Sequence, residues 1–372
     1  MQGQWHKLGD KLLNKKKYKK KCKEFVSLHF FLYICKKILN MVNINDIWNL
    51  KEKNEITFVD LFCGAGGVSK GYEMAGFKPV AAVDFFESAC ETHRRNIDCE
   101  VIDGDITLDE TKERLYEVVK NKLNGNELDI LHASPPCQGF SMAGRRMIDD
   151  PRNVLYKEAV EIISKLNPKW ITMENVPGMV SMSNGDIVKQ ICEDLGNIGY
   201  CVKWKVLNAA DYLTPQTRQR WILIGNRIGK EIEFPEPLTD KEHYVTVGQA
   251  IGDLMELEEN KEFNHVFTKH SDEMKERLLA VEEGKSLYEK YPESWRKSPW
   301  DEPSCTIKEN HGAVNIHPKL PRVITPREMA RLQSFPDDFI FCGSKKDQLV
   351  QIGNAVPCNL AKAIGLAIIK CD

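Results

Sequence analysis

ITFVDLFCGAGG, residues 56 to 67, decides the fold of this chain. Its first seven residues are mostly apolar and β-branched, which predicts a strand buried in a parallel sheet. The glycine-rich turn leads directly into a predicted helix at 68–75, which Gly76 ends. A strand, a glycine turn and a helix in this order are typical of α/β proteins that hold a nucleotide-like ligand against the turn.

The alternation of strands and helices continues to residue 225. Further strands are predicted at 80–84, 100–106, 128–133, 170–174, 201–208 and 220–225, and helices at 88–96, 110–123, 156–166 and 187–195. This spacing predicts a doubly wound, mostly parallel, Rossmann-like α/β sheet with its ligands at the carboxyl ends of the strands, where every pattern discussed below is expected. Helical patterning returns at 351–369 and at 324–333, with Thr325 as N-cap, Pro326 at the first helical position and Glu328 three residues after the cap.

The composition limits the function classes that fit. Lys and Arg (52) nearly cancel Asp and Glu (54), for a net charge of −2, so a surface for nucleic acid must be a local patch. The 12 cysteines contain no C-x-x-C pair and do not cluster with histidines at zinc spacing. We therefore expect reduced thiols, a cytoplasmic location and no bound metal.

The first 55 residues form a basic N-terminal extension. Residues 15–21 are almost all basic and residues 25–35 are apolar, but the apolar run is too short to span a membrane and no small-residue cleavage site follows it. Met41 offers a second start just before the organised sequence. We expect a mis-assigned translation start over residues 1–40 or, as the alternative, a basic disordered arm; a secretion signal fits less well.

Three glycines of the opening stretch predict a ligand site. Gly64, Gly66 and Gly67 allow a ligand to approach the backbone closely, and Asp84 at the end of the next strand can accept hydrogen bonds from ribose hydroxyls. The third glycine of a dinucleotide fingerprint would fall on Ser69, which disfavours NAD. A plain tight turn is the alternative interpretation.

A second pattern, SPPCQGFS at 134–141, follows the strand predicted at 128–133. Its two prolines restrain the backbone before Cys137, so the sulfur is presented at the sheet edge instead of being buried. Most lone cysteines are buried and inert. A cysteine that follows Pro-Pro at a strand end departs from that pattern, and Cys137 is therefore a candidate nucleophile.

Two further patterns supply charged groups. MENVPG (173–178) places Glu174 at the end of an apolar strand, where loss of solvent raises a carboxyl pKa as a proton donor requires. QTRQR (216–220) alternates Arg218 and Arg220 along an extended segment, so both point to one face and can hold a base oxygen or a phosphate. A surface carboxylate and two solvated arginines are the simpler alternatives.

Together these patterns resemble the ordered motif series of the DNA cytosine-5 methyltransferase family. The series is completed by RVITPREMARLQSFPDDF (322–339) and QIGNAVPCNLAKAIG (351–365). The resemblance implies methyl transfer from S-adenosylmethionine to carbon 5 of a flipped-out cytosine in a specific DNA sequence, through a covalent adduct with Cys137. It implies that Glu174 binds or protonates ring nitrogen 3, that Arg220 binds the cytosine oxygen and that Arg218 supports the same pocket.

The resemblance also implies ligand contacts. Phe62 lies against the adenine, Asp84 on the ribose and Asp105 at the adenine amino group; because Asn354 completes this site, the C-terminal helix is expected beside the first helix. The predicted cofactor residues are Phe62, Gly64, Gly66, Gly67, Asp84, Asp105, Ile106, Pro135, Asn354 and Val356. Residues 139–153 form a mobile loop over the DNA, and the predicted DNA contacts are Gln138, Ser141, Arg145, Arg146 and Arg152.

The resemblance divides the chain into a catalytic and cofactor-binding domain, 56–225 plus 322–372, and a target-recognition domain, 226–321. Residues 226–321 lack the strand-helix repeat and suit a loop-rich domain in the major groove of double-stranded DNA. We expect a monomer; a restriction endonuclease acting on the same site is compatible with the resemblance, and the sequence leaves its existence open. The alternatives are a transfer-RNA cytosine-5 methyltransferase, against which the length of 226–321 argues, and a catalytically silent DNA-binding relative.

Overall fold

The computed structural model describes residues 56–136, 155–181, 185–290, 292, 294–308 and 315–372. Within these residues, seven strands form one sheet in the order β3-β2-β1-β4-β5-β7-β6. The strands are β1 (Thr57–Leu61), β2 (Lys78–Asp84), β3 (Glu100–Asp103), β4 (Ile130–Ala133), β5 (Trp170–Asn175), β6 (Cys201–Asn208) and β7 (Gln219–Asn226). Because β1 to β5 run parallel and β7 lies antiparallel between β5 and β6, the predicted doubly wound, mostly parallel sheet is confirmed.

Ligands of such sheets bind where the strand order reverses, here between β1 and β4. We call the side of the sheet on which β1, β2, β4 and β5 end the carboxyl edge. β7 is antiparallel to β5 and pairs Trp221 with Asn175, so β7 begins at this edge. QTRQR therefore reaches the carboxyl edge at the amino end of a strand. The prediction that every pattern lies at the carboxyl end of a strand was wrong for this one, and also for the patterns at 322–339 and 351–365, which lie after β7, in the helical C-terminal part of the chain.

Helices connect and cover the strands. They are α1 (Gly67–Met74), α2 (Glu87–Asn96), α3 (Asp109–Leu123), α4 (Leu155–Leu166), α5 (Asp186–Asn197), α6 (Val247–Ile251), α7 (Asp272–Ala280), α8 (Pro326–Leu332), α9 (Lys345–Asn354) and α10 (Cys358–Cys371). β3 ends earlier than the strand predicted at 100–106. The reason is a turn in which Asp105 accepts hydrogen bonds from the backbone N–H and the hydroxyl of Thr107, at 2.9 and 2.8 Å.

Apolar side chains pack the sheet on both faces. α3, α4 and α5 cover one face in a cluster that includes Val59 and Leu131. Side chains alternate along a strand, so Phe58 points to the other face, where it packs on Tyr72 of α1. α6, α8 and α9 form a second cluster that also contains Ala65 of the glycine turn and Ile307. This second cluster holds the glycine turn against the C-terminal part of the chain.

The predicted packing of the C-terminal helix beside the first helix is confirmed. The two helices approach so closely that a Cβ on Gly71 would lie 2.4 Å from the carbonyl oxygen of Cys358 and 2.5 Å from Cβ of Ala361. A Cβ on Gly67 would lie 2.4 Å from the carbonyl oxygen of Val356. Glycine is thus required here for close approach of two backbones.

The start of α8 is also as predicted. The Thr325 hydroxyl accepts a hydrogen bond from the backbone N–H of Glu328, and the Glu328 carboxylate accepts one from the N–H of Thr325 at 2.8 Å. This reciprocal cap satisfies two N–H groups of the first turn, with Pro326 directly after the cap.

One described stretch, Lys345–Cys371, is long and apolar enough to cross a membrane by length and composition. It consists of two separate helices, α9 and α10, and 67% of its most apolar window is buried inside the protein. Its apolar character is therefore accounted for by core packing.

Candidate active site at the carboxyl edge

The glycine turn after β1 is built on left-handed backbone conformations. Phe62, Gly64 and Gly66 have φ values of +58°, +51° and +98°. The turn is tied to β2 because the N–H of Gly64 donates to the Asp84 carboxylate at 2.8 Å. No atom lies within 4 Å of a Cβ placed on Gly64, so a ligand can approach the backbone there.

Asp84 lies beside this turn, as predicted. Its carboxylate also accepts the N–H of Phe86 at 2.9 Å. Burial raises the pKa of Asp84, while these N–H donors oppose the shift by favouring the charged form. An ionised carboxylate has about four lone-pair positions, so it can accept a further hydrogen bond from a ribose hydroxyl beside these N–H groups.

The other predicted cofactor residues differ in how far their side chains are exposed to solvent. Val356 is buried, and its carbonyl oxygen faces Gly67, which joins the C-terminal segment to the glycine turn. Asn354 and Asp105 are exposed, while Ile106 is buried. The residues around the turn thus combine N–H groups, a carboxylate and apolar side chains, which fits S-adenosylmethionine.

Phe85 is a candidate site residue that the sequence analysis missed. It directly follows Asp84 at the carboxyl edge, and 73% of its surface is exposed, the largest fraction among the exposed large apolar side chains in the described part of the chain. An aromatic ring left in solvent beside a ligand site is a candidate for stacking on a flat ring. The signal in the sequence was an aromatic residue directly after a strand-terminal acid.

Glu174 and Arg220 meet at the carboxyl edge. The Arg220 Nε lies 2.7 Å from the Glu174 Oε1, and their side chains are 10% and 12% exposed. Burial raises the pKa of Glu174, although the Arg220 and Arg218 guanidinium groups oppose that shift. The structure therefore brings these predicted residues together and gives the carboxyl the direction of shift that a proton donor requires.

Arg218 faces different partners. It is buried, and its guanidinium donates to the carbonyl oxygen of Ile307 at 2.7 Å and to that of Gly353 at 2.9 Å. Arg218 thus connects the start of β7 with the residue before Asn354, and also with residue 307. This geometry is that of a residue that holds backbone segments in place.

Asn175 was also missed by the sequence analysis. Its side-chain amide donates to the carbonyl oxygen of Pro135 at 3.0 Å, which ties the end of β5 to the segment that leads to the predicted nucleophile. Its signal was its position next to Glu174. Six predicted site residues lie outside the described residues, namely Cys137, Gln138, Ser141, Arg145, Arg146 and Arg152.

The glycine turn and the acid that ends β2 lie at the switch point of the sheet, and the buried carboxyl–guanidinium pair lies at the same edge. These features define the class of nucleoside-binding group-transfer enzymes with a methyltransferase-type sheet. A family model described as C-5 cytosine-specific DNA methylase matches residues 56–370. The chain is 40% identical over 332 residues to the Type II methyltransferase M1.HphI of Haemophilus parahaemolyticus, covering 85% of this chain and 87% of the relative.

A second relative is the Type II methyltransferase M.XorII of Xanthomonas oryzae pv. oryzae, with 36% identity over 363 residues and 84% of each protein covered. Among solved structures, a prophage-encoded E. coli protein described as a DNA modification methyltransferase superposes with a TM-score of 0.72 at 26% identity, covering 85% of this chain and 99% of that one. This chain therefore belongs to the C-5 cytosine-specific DNA methylase family. It uses S-adenosylmethionine to methylate carbon 5 of cytosine in DNA, as the sequence predicted.

Proposed function

We propose that this chain methylates a specific DNA sequence through a covalent adduct between Cys137 and the target cytosine. Carbon 5 of cytosine is too weak a nucleophile to react unaided. The Cys137 thiolate adds to carbon 6, which forms a sulfur–carbon bond and moves electron density to carbon 5. S-adenosylmethionine supplies the electrophilic methyl group. Loss of the proton from carbon 5 to a base and expulsion of the thiolate then restore the ring.

The Glu174–Arg220 pair is the observation that carries this proposal. Nitrogen 3 and oxygen 2 are neighbours on the cytosine ring, and the pair presents a carboxyl and a guanidinium as neighbours, with Nε and Oε1 2.7 Å apart. Glu174 donates a proton or hydrogen bond to nitrogen 3, and Arg220 donates to oxygen 2. Both contacts draw electron density from the ring and favour attack of the thiolate at carbon 6.

The cytosine reaches these groups only outside the DNA stack, because a thiol cannot approach carbon 6 inside a duplex. Unstacking the base costs a few kcal/mol. Contacts of the protein with the flipped base and with the DNA backbone offset this cost. In this proposal residues 139–153 form the loop that closes over the DNA and supplies phosphate contacts. The proposed DNA contacts are Gln138, Ser141, Arg145, Arg146 and Arg152.

For the cofactor, we assign Phe62 and Phe85 to the adenine, Asp84 to the ribose hydroxyls and Asp105 to the adenine amino group. Support comes from the open glycine turn and from the exposed ring of Phe85. The remaining predicted cofactor contacts are Gly64, Gly66, Gly67, Ile106, Pro135, Asn354 and Val356. Arg218 is a positioning residue in this scheme, since it holds the backbone beside Asn354.

Residues 226–321 read the DNA sequence in this proposal, and 56–225 with 322–372 carry out the chemistry. The length of the region supports this division, because flanking base pairs must be read by a part of the protein that occupies a groove. Both relatives described above are Type II methyltransferases, which supports modification of one site, alongside a restriction endonuclease acting on that site. A monomer in the cytoplasm, where DNA is accessible and thiols stay reduced, suits this activity.

Bisulfite sequencing of plasmid from cells that express the protein tests the activity and reveals the methylated sequence. Cys137→Ser should lose methyl transfer and keep binding of DNA and S-adenosylmethionine, because a hydroxyl is far less ionised than a thiol at neutral pH. Turnover of the variant within a few fold of wild type would refute the adduct. Plasmid that stays unmethylated while transfer RNA is methylated would contradict DNA as the substrate. Absence of methylation from both nucleic acids would contradict the activity itself.

A further inference from the structure

A row of buried polar side chains crosses the sheet directly below the carboxyl edge. His132 of β4 is paired in register with Thr172 of β5. Both side chains face α1, where Tyr72 reaches them, and all three residues are at most 3% exposed. Buried polar groups are costly unless each is hydrogen-bonded, so a row of this kind requires an explanation.

The hydrogen bonds of this row form one continuous chain. The Tyr72 hydroxyl lies 2.8 Å from the Thr172 hydroxyl, which lies 2.8 Å from His132 Nδ1. His132 Nε2 lies 2.7 Å from the Ser134 hydroxyl. Ser134 directly follows Ala133, which is paired with Met173, so the register places Ser134 beside Glu174, and its hydroxyl lowers the pKa of that carboxyl. The chain therefore starts on α1 and ends at the predicted proton donor.

The chemistry of the groups gives the chain a direction. Burial lowers the pKa of His132 to about 3, so the ring is neutral and has one donor nitrogen and one acceptor nitrogen. If Ser134 donates to the Glu174 carboxylate, its oxygen accepts from an Nε2–H of His132. Nδ1 is then the acceptor, so Thr172 donates to it and Tyr72 donates to Thr172. Every donor in the chain points towards Glu174.

We propose that His132 and Ser134 are positioning residues that hold the Glu174 carboxyl in place for methyl transfer, with His132 kept as the Nε2–H tautomer by Thr172 and Tyr72. This inference rests on the proposed role of Glu174. Arg220 is one group that restrains the Glu174 carboxyl. Ser134, at the end of the hydrogen-bonded series, is another. The carboxyl thereby faces the base without a search through rotamers, which is how preorganised groups contribute to rate.

Thr172→Val tests the chain at a distance from the reacting atoms. Valine has nearly the shape of threonine and removes the donor to His132 Nδ1, so the imidazole is no longer held as the Nε2–H tautomer and the Ser134 hydroxyl is no longer held towards Glu174. We expect kcat to fall by roughly tenfold, with the KM values for DNA and S-adenosylmethionine nearly unchanged, since the substitution affects the orientation of the Glu174 carboxyl and not the groups that bind the substrates. Thr172→Ser keeps the hydroxyl and should restore kcat.

Ser134→Ala tests the last link. Arg220, Arg218 and Ser134 lower the pKa of Glu174, so loss of the Ser134 hydroxyl raises that pKa. The decline of kcat at high pH, where Glu174 loses its proton, should therefore move to higher pH. Tyr200→Phe is the matched control, because Tyr200 donates an equally buried hydrogen bond to Pro168 at the opposite edge of the sheet.

Tyr72→Phe removes the first hydrogen bond of the series that leads to Glu174. Tyr200→Phe and Tyr72→Phe should lower the stability by similar amounts, but only Tyr72→Phe should lower kcat. Equal kcat and equal pH profiles for wild type, Thr172→Val and Ser134→Ala would overturn the proposal.

The nitrogen-15 spectrum of the histidine rings tests the proposal without measuring activity. The His132 signals are identified by their loss in His132→Gln. Protonated Nδ1 in the wild type would overturn the proposal. An inactive wild type with the Nε2–H tautomer would instead refute the proposed function.

Discussion

Replacing Gly67 by Ala adds one methyl group where the glycine turn touches the C-terminal segment. The new Cβ would lie 2.4 Å from the carbonyl oxygen of Val356, which is 0.6 Å less than the 3.0 Å that Cβ atoms keep from such neighbours. The obstacle is backbone, so Val356 and the neighbouring Asn354 must shift by about that distance. That shift would strain the contacts of the 354–356 segment with S-adenosylmethionine, so we expect the cofactor to bind roughly tenfold more weakly, which is a loss of about 1.4 kcal/mol.

The stability effect should be separable from the effect on binding. Overpacking costs about 1–3 kcal/mol, and this should be seen in Gly67→Ala and in Gly71→Ala, where the new Cβ meets α10 instead. Gly71→Ala should therefore destabilise the protein with less effect on the cofactor. Gly196→Ala, in α5 and in open space, is the control and should stabilise the protein by up to about 1 kcal/mol.

The measurements are thermal unfolding and calorimetric titration with S-adenosylmethionine. For each variant, the loss of affinity for S-adenosylmethionine is compared with the loss of stability. If the ratio of the two losses is the same for Gly67→Ala and Gly71→Ala, the contact at Gly67 does not influence cofactor binding beyond its effect on stability. If Gly67→Ala binds like wild type, the assignment of the 354–356 segment to the cofactor site is wrong.

Two further predictions concern the N-terminus and pH. Deletion of residues 1–40 should leave methylation and the unfolding temperature nearly unchanged, because every recognised pattern lies after residue 55; loss of DNA binding would show that the extension has a function. Burial lowers the pKa of His93 and His317 to about 4. The unfolded chain takes up these protons below pH 6.5, so their contribution to stability is full above that pH and falls towards pH 4, by at most roughly 1.4 kcal/mol per pH unit for each histidine. Scanning calorimetry should show a flatter pH dependence when both are replaced by Gln, and an unchanged slope would contradict the assignment.

Local patterns of the sequence predicted most of the core. The β-branched run before Gly64, the reciprocal cap of Thr325 and Glu328, and the strand that ends in Glu174 each depend on neighbours in the chain, so one sequence is enough to recognise them. The order of the motifs then located the site at one edge of the sheet, and the structure places Glu174 and Arg220 in contact there.

Features that depend on pairing between distant strands could not be predicted in this way. The direction of β7 leaves no periodic signal, because a strand has the same alternation whichever way it runs. The register that places His132 beside Thr172 is likewise set by the whole sheet, and a histidine in an apolar run resembles any buried polar residue. The exposure of Phe85 depends on which side chains surround it, and these come from separate parts of the chain.

The proposed division between chemistry and recognition has a structural link at 304–307. Ser304 exchanges backbone hydrogen bonds with Pro215 and Thr217, at 3.0 and 2.8 Å, and Ile307 is held by Gln216 and Arg218. These residues belong by sequence to the predicted recognition region, yet they pair with the segment that enters β7. An insert of different length would shift this pairing and move Arg218, and with it the backbone beside the cofactor site.

Exchange of residues 226–321 for the matching region of a relative should therefore change the methylated sequence but lower turnover, whereas an exchange that keeps 303–308 should change the sequence at near wild-type turnover. The recognised site changes because base-edge contacts, worth about 1–3 kcal/mol each, come from the exchanged part. Bisulfite sequencing identifies the site, and single-turnover kinetics measure the rate. An active chimera that still methylates the original sequence would refute the recognition assignment. Equal turnover of the two chimeras would show that the pairing at 304–307 does not influence the chemistry.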